Sequence, residues 1–169
     1  MIRVADTIDK LLRRICEVFL WANFILIFVI VFQVIARYFF SWTSTALEEL
    51  QWHLYSVAML TGIAYAITSG SHVRADILFN RFSEKWKNII EMLTVLVFIL
   101  PFFSFIFYHS LAFVAHSYAV SEASNSPGGL SCRWLIKGVI PLACCMINLA
   151  AISKLFRTIG KMRRRKDVS

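Results

Sequence analysis

The chain has 169 residues, of which 59% are hydrophobic and 15% aromatic, and it carries a formal net charge of +8. Its mean hydropathy of +0.67 excludes an ordinary soluble domain and indicates an integral membrane protein. The apolar runs are too long for barrel strands, and backbone groups in lipid must be satisfied within each segment, so the sequence predicts an all-α membrane fold.

Four segments are long enough to cross a bilayer as helices. The predicted spans cover residues 15–36, 46–68, 89–118 and 133–155. The second span is less apolar than the others. The third exceeds the roughly 20 residues that a 30 Å hydrocarbon core requires, so we expect it to tilt, kink or protrude. Kinks are expected at Pro101 and Pro141.

Two charged segments beside the spans are typical of short amphipathic helices that lie in the headgroup plane. In residues 3–14 the apolar side chains fall on one helical face and the charged ones lie largely elsewhere. Residues 76–88 repeat this pattern, with Ser83 as a candidate N-cap. The sequence contains no internal repeat or separate soluble unit, so residues 1–169 are predicted to form a single membrane domain.

The distribution of positive charge predicts the orientation. All but three of the 18 lysines and arginines lie before the first span, between the second and third, or in the tail from Lys154 onwards; the exceptions are Arg37, Arg133 and Lys137. The positive-inside bias therefore predicts that both termini are cytoplasmic. The same bias explains the positive net charge, because basic residues at helix ends contact anionic membrane lipid. No binding of nucleic acid is needed to explain it. The candidate membrane-interface anchors are Arg13, Arg14, Trp42, Trp86, Arg163, Arg164 and Arg165.

Polar residues inside spans are costly and are therefore the first candidates for function. Glu48 and Glu49 begin the second span. They are either solvated groups that complement the helix dipole, partners of a basic residue on another subunit, or ligands in ion or proton coupling. Ala58, Gly62 and Ala66 recur every four residues and let another helix approach closely, whether from this chain or from a second subunit.

The histidines offer a different function. His53, His109 and His116 are all predicted toward the outer side of the membrane, where two imidazoles from facing helices could ligate one haem. A haem-binding membrane anchor of an oxidoreductase is therefore the alternative hypothesis. The four cysteines show no CxxC or His-Cys cluster, so the sequence predicts no metal site.

The segment "NSPGGLSCRWLIKGVIP" at 125–141 precedes the last span. Residues 126–129 are expected to form a tight outer turn. Arg133 and Trp134 would then anchor the helix at the headgroups, and Lys137 would snorkel or meet a carboxylate. This turn, with Glu48 or Glu49, either forms a surface that binds a partner or only anchors the helix at the membrane and binds no partner.

The segment "HVRAD", which contains Arg74 and Asp76, leads out of the second span. It is likewise either a local cap on the cytoplasmic side or a contact with a partner.

Three stretches resemble one known family. They are "VFQVIARYFF", then "ALEELQWHLYSVAMLTGIAYAITSGSHVRADIL" with its glutamate pair, and "SPGGLSCRWLIKGVIPL". The chain resembles, over nearly all its length, the small membrane subunit of tripartite ATP-independent periplasmic (TRAP) transporters, the DctQ-like group. Members of the family often carry proline where this chain has Ser131, a difference that concerns the local turn.

The resemblance implies a subunit without catalytic residues or cofactor in the inner membrane of a bacterium or archaeon. Its expected partners are a large polytopic subunit, which moves the substrate by an elevator-like motion, and a periplasmic protein that delivers an organic acid. Uptake would be driven by an ion gradient, and the small subunit would act as a scaffold. A self-sufficient small exporter would instead need a charge at the centre of the bundle, and the sequence places none of its acidic residues there convincingly.

Overall fold

A computed structural model describes residues 2–69 and 83–166, without the side chains of residues 2–4, 84, 85, 161 and 163–166. The helices are α1 (Ile2–Phe40), α2 (Thr45–Ser69), α3 (Glu84–Leu93), a π-helical turn (Thr94–Ile99), α4 (Leu100–Ala119) and α5 (Arg133–Lys166). The predicted all-helical fold class is confirmed.

Three stretches of these helices are long and apolar enough to cross a membrane: Ala5–Phe40, Trp86–Ala119 and Arg133–Gly160. Helix α2 is not among them. Its 25 residues are long enough, at about 37 Å, but polar side chains such as Gln51, His53 and Thr61 lower its hydropathy. If the continuous stretch from α3 to α4 is counted as one, the described part of the chain has four long helices, as expected, and the fourth membrane crossing stays a prediction.

Helix α1 joins two segments that the sequence separated. The predicted interfacial helix at 3–14 and the predicted span at 15–36 follow each other without a break. Arg13 and Arg14 mark a change of polarity only, because arginine is a good helix former and does not interrupt the backbone. Phe40 is the last residue of the helix. Ser41 follows it with a φ of 50°, and the Trp42 N–H then donates to the Ala36 carbonyl at 3.2 Å.

The third predicted span is also continuous with the segment before it. Helix α3 begins after Ser83, whose side chain makes no capping hydrogen bond. It contains the end of the predicted interfacial helix at 76–88, of which residues 76–82 lie outside the described chain. The Leu100 N–H donates to the Val95 carbonyl, five residues back. This π-helical turn lies just before Pro101, which has no N–H to donate. The kink expected at this proline is therefore observed as a π-helical turn.

Helix α5 lies at the centre of the fold. In an apolar 18-residue part of each span, 39% of the α5 residues are buried, compared with 11% in α1 and 6% in the stretch from α3 to α4. It packs against α1, α2 and α4, and it continues through the buried Pro141 to Lys166. The core cluster consists of Leu12, Cys16, Ala64, Ile67, Met146, Ile147 and Ala150. Many of these residues are small, as is usual where helices in lipid associate by close packing.

The contacts between helix ends fix the relative directions of the chain. The Ser153 hydroxyl donates to the Ala5 carbonyl at 3.1 Å, so the beginning of α1 and the second half of α5 lie at the same end of the bundle, here called the terminal end. Residues 121–132, which connect α4 to α5, lie at the opposite end, here called the turn end. The side of the membrane that each end faces stays a prediction from the charge distribution.

Candidate functional site

The turn end is closed by a carboxylate from another helix. Glu49, in the first turns of α2, accepts a hydrogen bond from the Ser124 hydroxyl on one oxygen. Its other oxygen accepts the Leu130 N–H at 2.7 Å. The Ser124 N–H donates to the Leu130 carbonyl at 3.0 Å, which closes the loop. One side chain of α2 therefore holds the connection between α4 and α5.

Two adjacent glycines make this closure possible. The expected tight turn is confirmed by the hydrogen bond from the Gly129 N–H to the Ser126 carbonyl, at 3.0 Å. Gly128 has a φ of +73°, which favours glycine. At Gly129 the reason is space, because a Cβ there would lie 2.5 Å from the Ser124 Cβ and 3.0 Å from Glu49 Oε1. Any side chain at Gly129 would therefore displace the contact between Ser124 and Glu49.

A second carboxylate joins the same loop to α5. Glu122 forms an ion pair with Lys137, and its carbonyl accepts the Arg133 N–H at 3.0 Å. Hydrogen bonding from the Lys137 ammonium holds the pKa of the Glu122 carboxyl below its usual value. The ammonium also lies 4.0 Å from the centre of the Phe113 ring, a cation–π distance. Of the two roles expected for Lys137, the contact with a carboxylate is the one observed.

The two neighbouring glutamates of α2 have separate surroundings. Glu48 is exposed and accepts the Gln33 side-chain amide at 3.2 Å, and the Gln51 amide donates in turn to the Gln33 side-chain oxygen. Glu48 thus belongs to a cluster between α1 and α2, whereas Glu49 belongs to the turn. Both carboxylates have hydrogen-bond donors within the chain. Neither role expected for them outside the chain, partner pairing or ion coupling, is tested by these contacts.

The predicted small-residue stripe coincides only in part with the buried face of α2. Ala58 is buried, but a Cβ built at Gly62 would meet nothing within 4 Å, and Ala66 is half-buried. The buried face consists of Ala58, Thr61, Ala64 and Ile67. Here the Cys16 thiol donates to the Thr61 carbonyl at 3.5 Å. Close packing within the described chain therefore follows this face, and Gly62 remains open on its outside.

The predicted anchors vary in their surroundings. Trp134 packs edge to face on Tyr118, with ring centres 5.4 Å apart, and Arg13 donates to the Thr68 carbonyl at 3.3 Å. Arg13 is exposed, and so are Arg14, Trp42 and Trp86. Arg74 and Asp76, and the side chains of Arg163, Arg164 and Arg165, lie outside the described residues, so their expected roles stay predictions.

Sequence reasoning missed the contacts at the terminal end. Arg157 on α5 pairs with Asp6 and with Asp9 on α1, at 2.7 Å in each case. Lys154 pairs with Glu91 on α3 at 3.2 Å. From the sequence, the basic residues at the end of the last helix are interpreted as topology anchors. No local pattern links Lys154 and Arg157 to acidic residues on α1 and α3, far earlier in the chain. These ion pairs are called the terminal clamp below.

Among the described contacts, none joins His53, His109 and His116 to one another. His109 packs its ring on Phe105 at 4.3 Å and contacts Tyr108 on the same helix. His53 lies near Glu49 and Arg133, and His116 is exposed. In the part of the chain that is described, no group of three or more His, Cys, Asp or Glu could hold a metal ion. The haem hypothesis therefore gains no support from these contacts.

Comparison with protein families gives a match over most of the chain. The model of the DctQ family, described as the DctQ component of tripartite ATP-independent periplasmic transporters, matches residues 8–161. A comparison with curated proteins finds no match. The matched range includes the three apolar spans, apart from the first three residues of the span in α1, together with the cluster between α1 and α2 and the turn end. Members of the family are membrane components that work with a large membrane subunit and a periplasmic binding protein. Because the match covers nearly the whole sequence, this chain belongs to the DctQ family of TRAP transporter components.

Proposed function

We propose that this chain is the small, non-catalytic permease subunit that scaffolds the large elevator-type subunit of a TRAP transporter. The complex would use an ion gradient to take up an organic acid that a periplasmic binding protein delivers. In this proposal α2 is the fourth membrane crossing, both termini are cytoplasmic, and the membrane is the inner membrane of a bacterium or archaeon.

The observation that carries the proposal is that the helices are fastened to one another at both ends. At the terminal end, Arg157 and Lys154 of α5 pair with carboxylates of α1 and α3. At the turn end, Glu49 of α2 and Lys137 of α5 hold the loop after α4. A scaffold must keep its helices in place while a neighbouring subunit moves, and a bundle fastened in this way suits that requirement.

The outer helices leave surface for a partner. In an apolar 18-residue part of each span, only 11% of the residues of α1 and 6% of those in the stretch from α3 to α4 are buried within the chain. Their exposed side chains include Phe28 on α1 and Phe98 and Phe105 on the other stretch. In a membrane such faces are covered by lipid or by other helices. We assign part of this surface, together with the turn end around Arg133, to contacts with the large subunit or the binding protein.

Purification of the tagged chain from native membranes in mild detergent tests the proposal. We expect one much larger polytopic protein to co-purify in stoichiometric amount, identified by mass spectrometry. Recovery of the chain alone would contradict the scaffold function, and recovery with redox subunits and a Soret band would favour the haem-bearing alternative.

Charge reversal tests the role of the turn end separately. Arg133→Glu should reduce recovery of the large subunit and reduce uptake, whereas Lys10→Glu, at an exposed position of the terminal end, should leave both unchanged. The thermal stability of each purified variant shows whether the chain itself is intact. Undiminished assembly and uptake in a stable Arg133→Glu variant would mean that the turn is only a membrane anchor.

A further inference from the structure

A pocket of about 290 Å³ lies between α1 and α2 near the turn end. Its polar lining consists of Gln33 and Arg37 from α1, and Glu48 and Gln51 from α2. The pocket opens to the outside of the bundle, because both charged side chains are exposed. It is separate from the Glu49 contacts that close the loop.

The two charges in this pocket are not paired with each other. Arg37 has its guanidinium 5.6 Å from the centre of the Tyr38 ring, and Glu48 accepts only the Gln33 amide among its described hydrogen bonds. No ion pair between Arg37 and Glu48 occurs among the described contacts. Each of these charges can therefore pair with a ligand group of the opposite sign.

The lining changes from charged to apolar along the helices. Ile30, Val34 and Trp52 complete the pocket. Ile30 lies seven residues before Arg37, which corresponds to about 10 Å along the helix axis. The charged part therefore lies near the helix ends, at headgroup level, and the apolar part lies deeper. A ligand that fits must be charged at one end and apolar at the other.

We infer that this pocket binds the phosphoethanolamine headgroup of a membrane phospholipid, with the start of an acyl chain against the apolar part. The lipid phosphate would accept from Arg37, and its ammonium would donate to Glu48. The amide cluster of Gln33 and Gln51 supports Glu48 from the side of α1. The pocket volume of about 290 Å³ is at the lower end of the range for small-molecule sites. It is therefore large enough for a headgroup and too small for a whole lipid.

Charge complementarity selects this headgroup over others. A phosphoglycerol headgroup brings the same phosphate charge but has no cation for Glu48, so that carboxylate would gain no ion pair. A phosphocholine headgroup has a cation but no N–H to donate, so it loses the charge-assisted hydrogen bond. The proposed ligand satisfies both unpaired side chains at once. This inference concerns a lipid site and is independent of whether the chain acts as a scaffold.

Native mass spectrometry of the full-length chain tests this site. The purified protein is exchanged into vesicles with equal amounts of phosphatidylethanolamine, phosphatidylglycerol and phosphatidylcholine, and the retained lipids are counted. We expect phosphatidylethanolamine to be retained preferentially. Glu48→Gln should lower that preference about ten-fold, the effect of losing one hydrogen bond to a charged group. Arg37→Gln should lower the retention of all three lipids, because each has a phosphate.

A matched pair of substitutions tests the apolar part. Val34→Phe fills the pocket, whereas Val31→Phe adds the same volume on an exposed part of α1 that does not line it. Only Val34→Phe should reduce retention of phosphatidylethanolamine. Equal retention of the three lipids, or an unchanged preference in Glu48→Gln, would overturn the inference. It would also be overturned if the purified transporter complex excluded the lipid, because a partner helix would then occupy the pocket.

Discussion

At the scale of single residues, Glu49 matters most to the turn end. Its carboxylate accepts from Ser124 and from the Leu130 N–H, residues that follow it by 75 and 81 positions. Hydrogen bonds to a charged acceptor are stronger than neutral ones, and they gain importance where water is scarce. In lipid, the hydrophobic effect does not drive helices to associate. Hydrogen bonds such as those of Glu49 therefore contribute to holding the helices together.

The space at Gly129 gives the first prediction. Gly129→Ala should destabilise the protein by about 1–3 kcal/mol, because the new Cβ would overlap Ser124 and push it away from Glu49. Gly138→Ala is the matched control, because a Cβ at Gly138 meets nothing within 4 Å and alanine favours the helix by up to about 1 kcal/mol. Thermal unfolding in detergent measures both variants. Equal losses of stability would contradict the steric argument.

The ion pair of Glu122 with Lys137 gives a second prediction, which concerns pH. Since the pKa of Glu122 is lowered in the folded protein from the usual 4.5, its contribution to stability is present above about pH 4.5. That contribution is lost as the pH falls through the lower folded value. Arg133 lies near the same carboxylate and acts in the same direction.

The pH dependence is isolated by comparing the wild-type protein with Glu122→Gln. The wild type should lose stability on acidification below pH 4.5 more steeply than the variant, and the two should converge at the acid end of the range. Melting temperatures measured from pH 7 down to the limit of solubility test this expectation. Parallel curves for the two proteins would show that the ion pair contributes nothing that depends on pH.

At the scale of the elements, the sequence predicted the helices better than their contacts. Long apolar runs located α1, α4 and α5, because a lipid environment restricts spanning segments to helices. The boundary between residues 14 and 15 was not observed, since a change from charged to apolar side chains does not stop a helix. The π-helical turn before Pro101 was expected only as a kink, because the missing N–H can be accommodated in several ways.

The contacts between elements were largely beyond the sequence. Nothing near Glu49 indicates that it reaches Ser124, and nothing near Glu48 indicates that it joins Gln33 instead. Two adjacent glutamates on a helix point in directions about 100° apart, but which neighbour each one meets depends on how α1, α2 and α5 pack. The turn at Ser126–Gly129 was predictable because its geometry depends on local residues alone.

The terminal clamp gives the third prediction, since it joins α1 to α5. Asp9 and Asp6 contact the same guanidinium at 2.7 Å, but the Asp9 side chain is only 9% exposed and that of Asp6 is 48% exposed. Arg157→Gln should therefore destabilise the protein by about 1–3 kcal/mol, mainly because it leaves the Asp9 carboxylate buried without a cation. Thermal unfolding of the purified variant gives the measurement.

Double variants identify the cause of that loss. Adding Asp9→Asn to Arg157→Gln should restore part of the stability, because it removes the uncompensated charge. Adding Asp6→Asn should restore little, because an exposed carboxylate remains solvated. If both double variants recovered the same stability, the buried Asp9 carboxylate would not be the cause of the loss in Arg157→Gln.

At the scale of the whole molecule, α5 connects the two ends of the bundle. It contributes Arg157 and Lys154 at the terminal end and Lys137 at the turn end, and it packs on α1, α2 and α4 in between. The terminal end and the turn end therefore belong to one frame, and the orientation of any one helix fixes that of the others. Finding which side of the membrane the turn end faces would settle the topology of every described helix.

The cysteines allow that orientation to be tested with little alteration of the chain. Cys132 is exposed in the turn-end loop, whereas Cys16 and Cys144 are buried, and the exposed Cys145 lies near the middle of the apolar span of α5, far from either end. A membrane-impermeant maleimide reacts with thiols in water, so it should label Cys132 and not Cys145. Positive-inside bias places the turn end outside, and intact spheroplasts should therefore be labelled at Cys132.

Two variants make the labelling decisive. Cys132→Ser should abolish the signal from intact spheroplasts. Adding Lys10→Cys to that variant places a thiol at an exposed position of the terminal end, which should react only after the membrane is permeabilised. Reaction of Lys10→Cys in intact spheroplasts would reverse the orientation of the whole frame. Because the terminal clamp joins residues 6–9 to residue 157, that one result would place both ends of the chain outside and would transfer the pocket of Arg37 and Glu48 to the cytoplasmic leaflet.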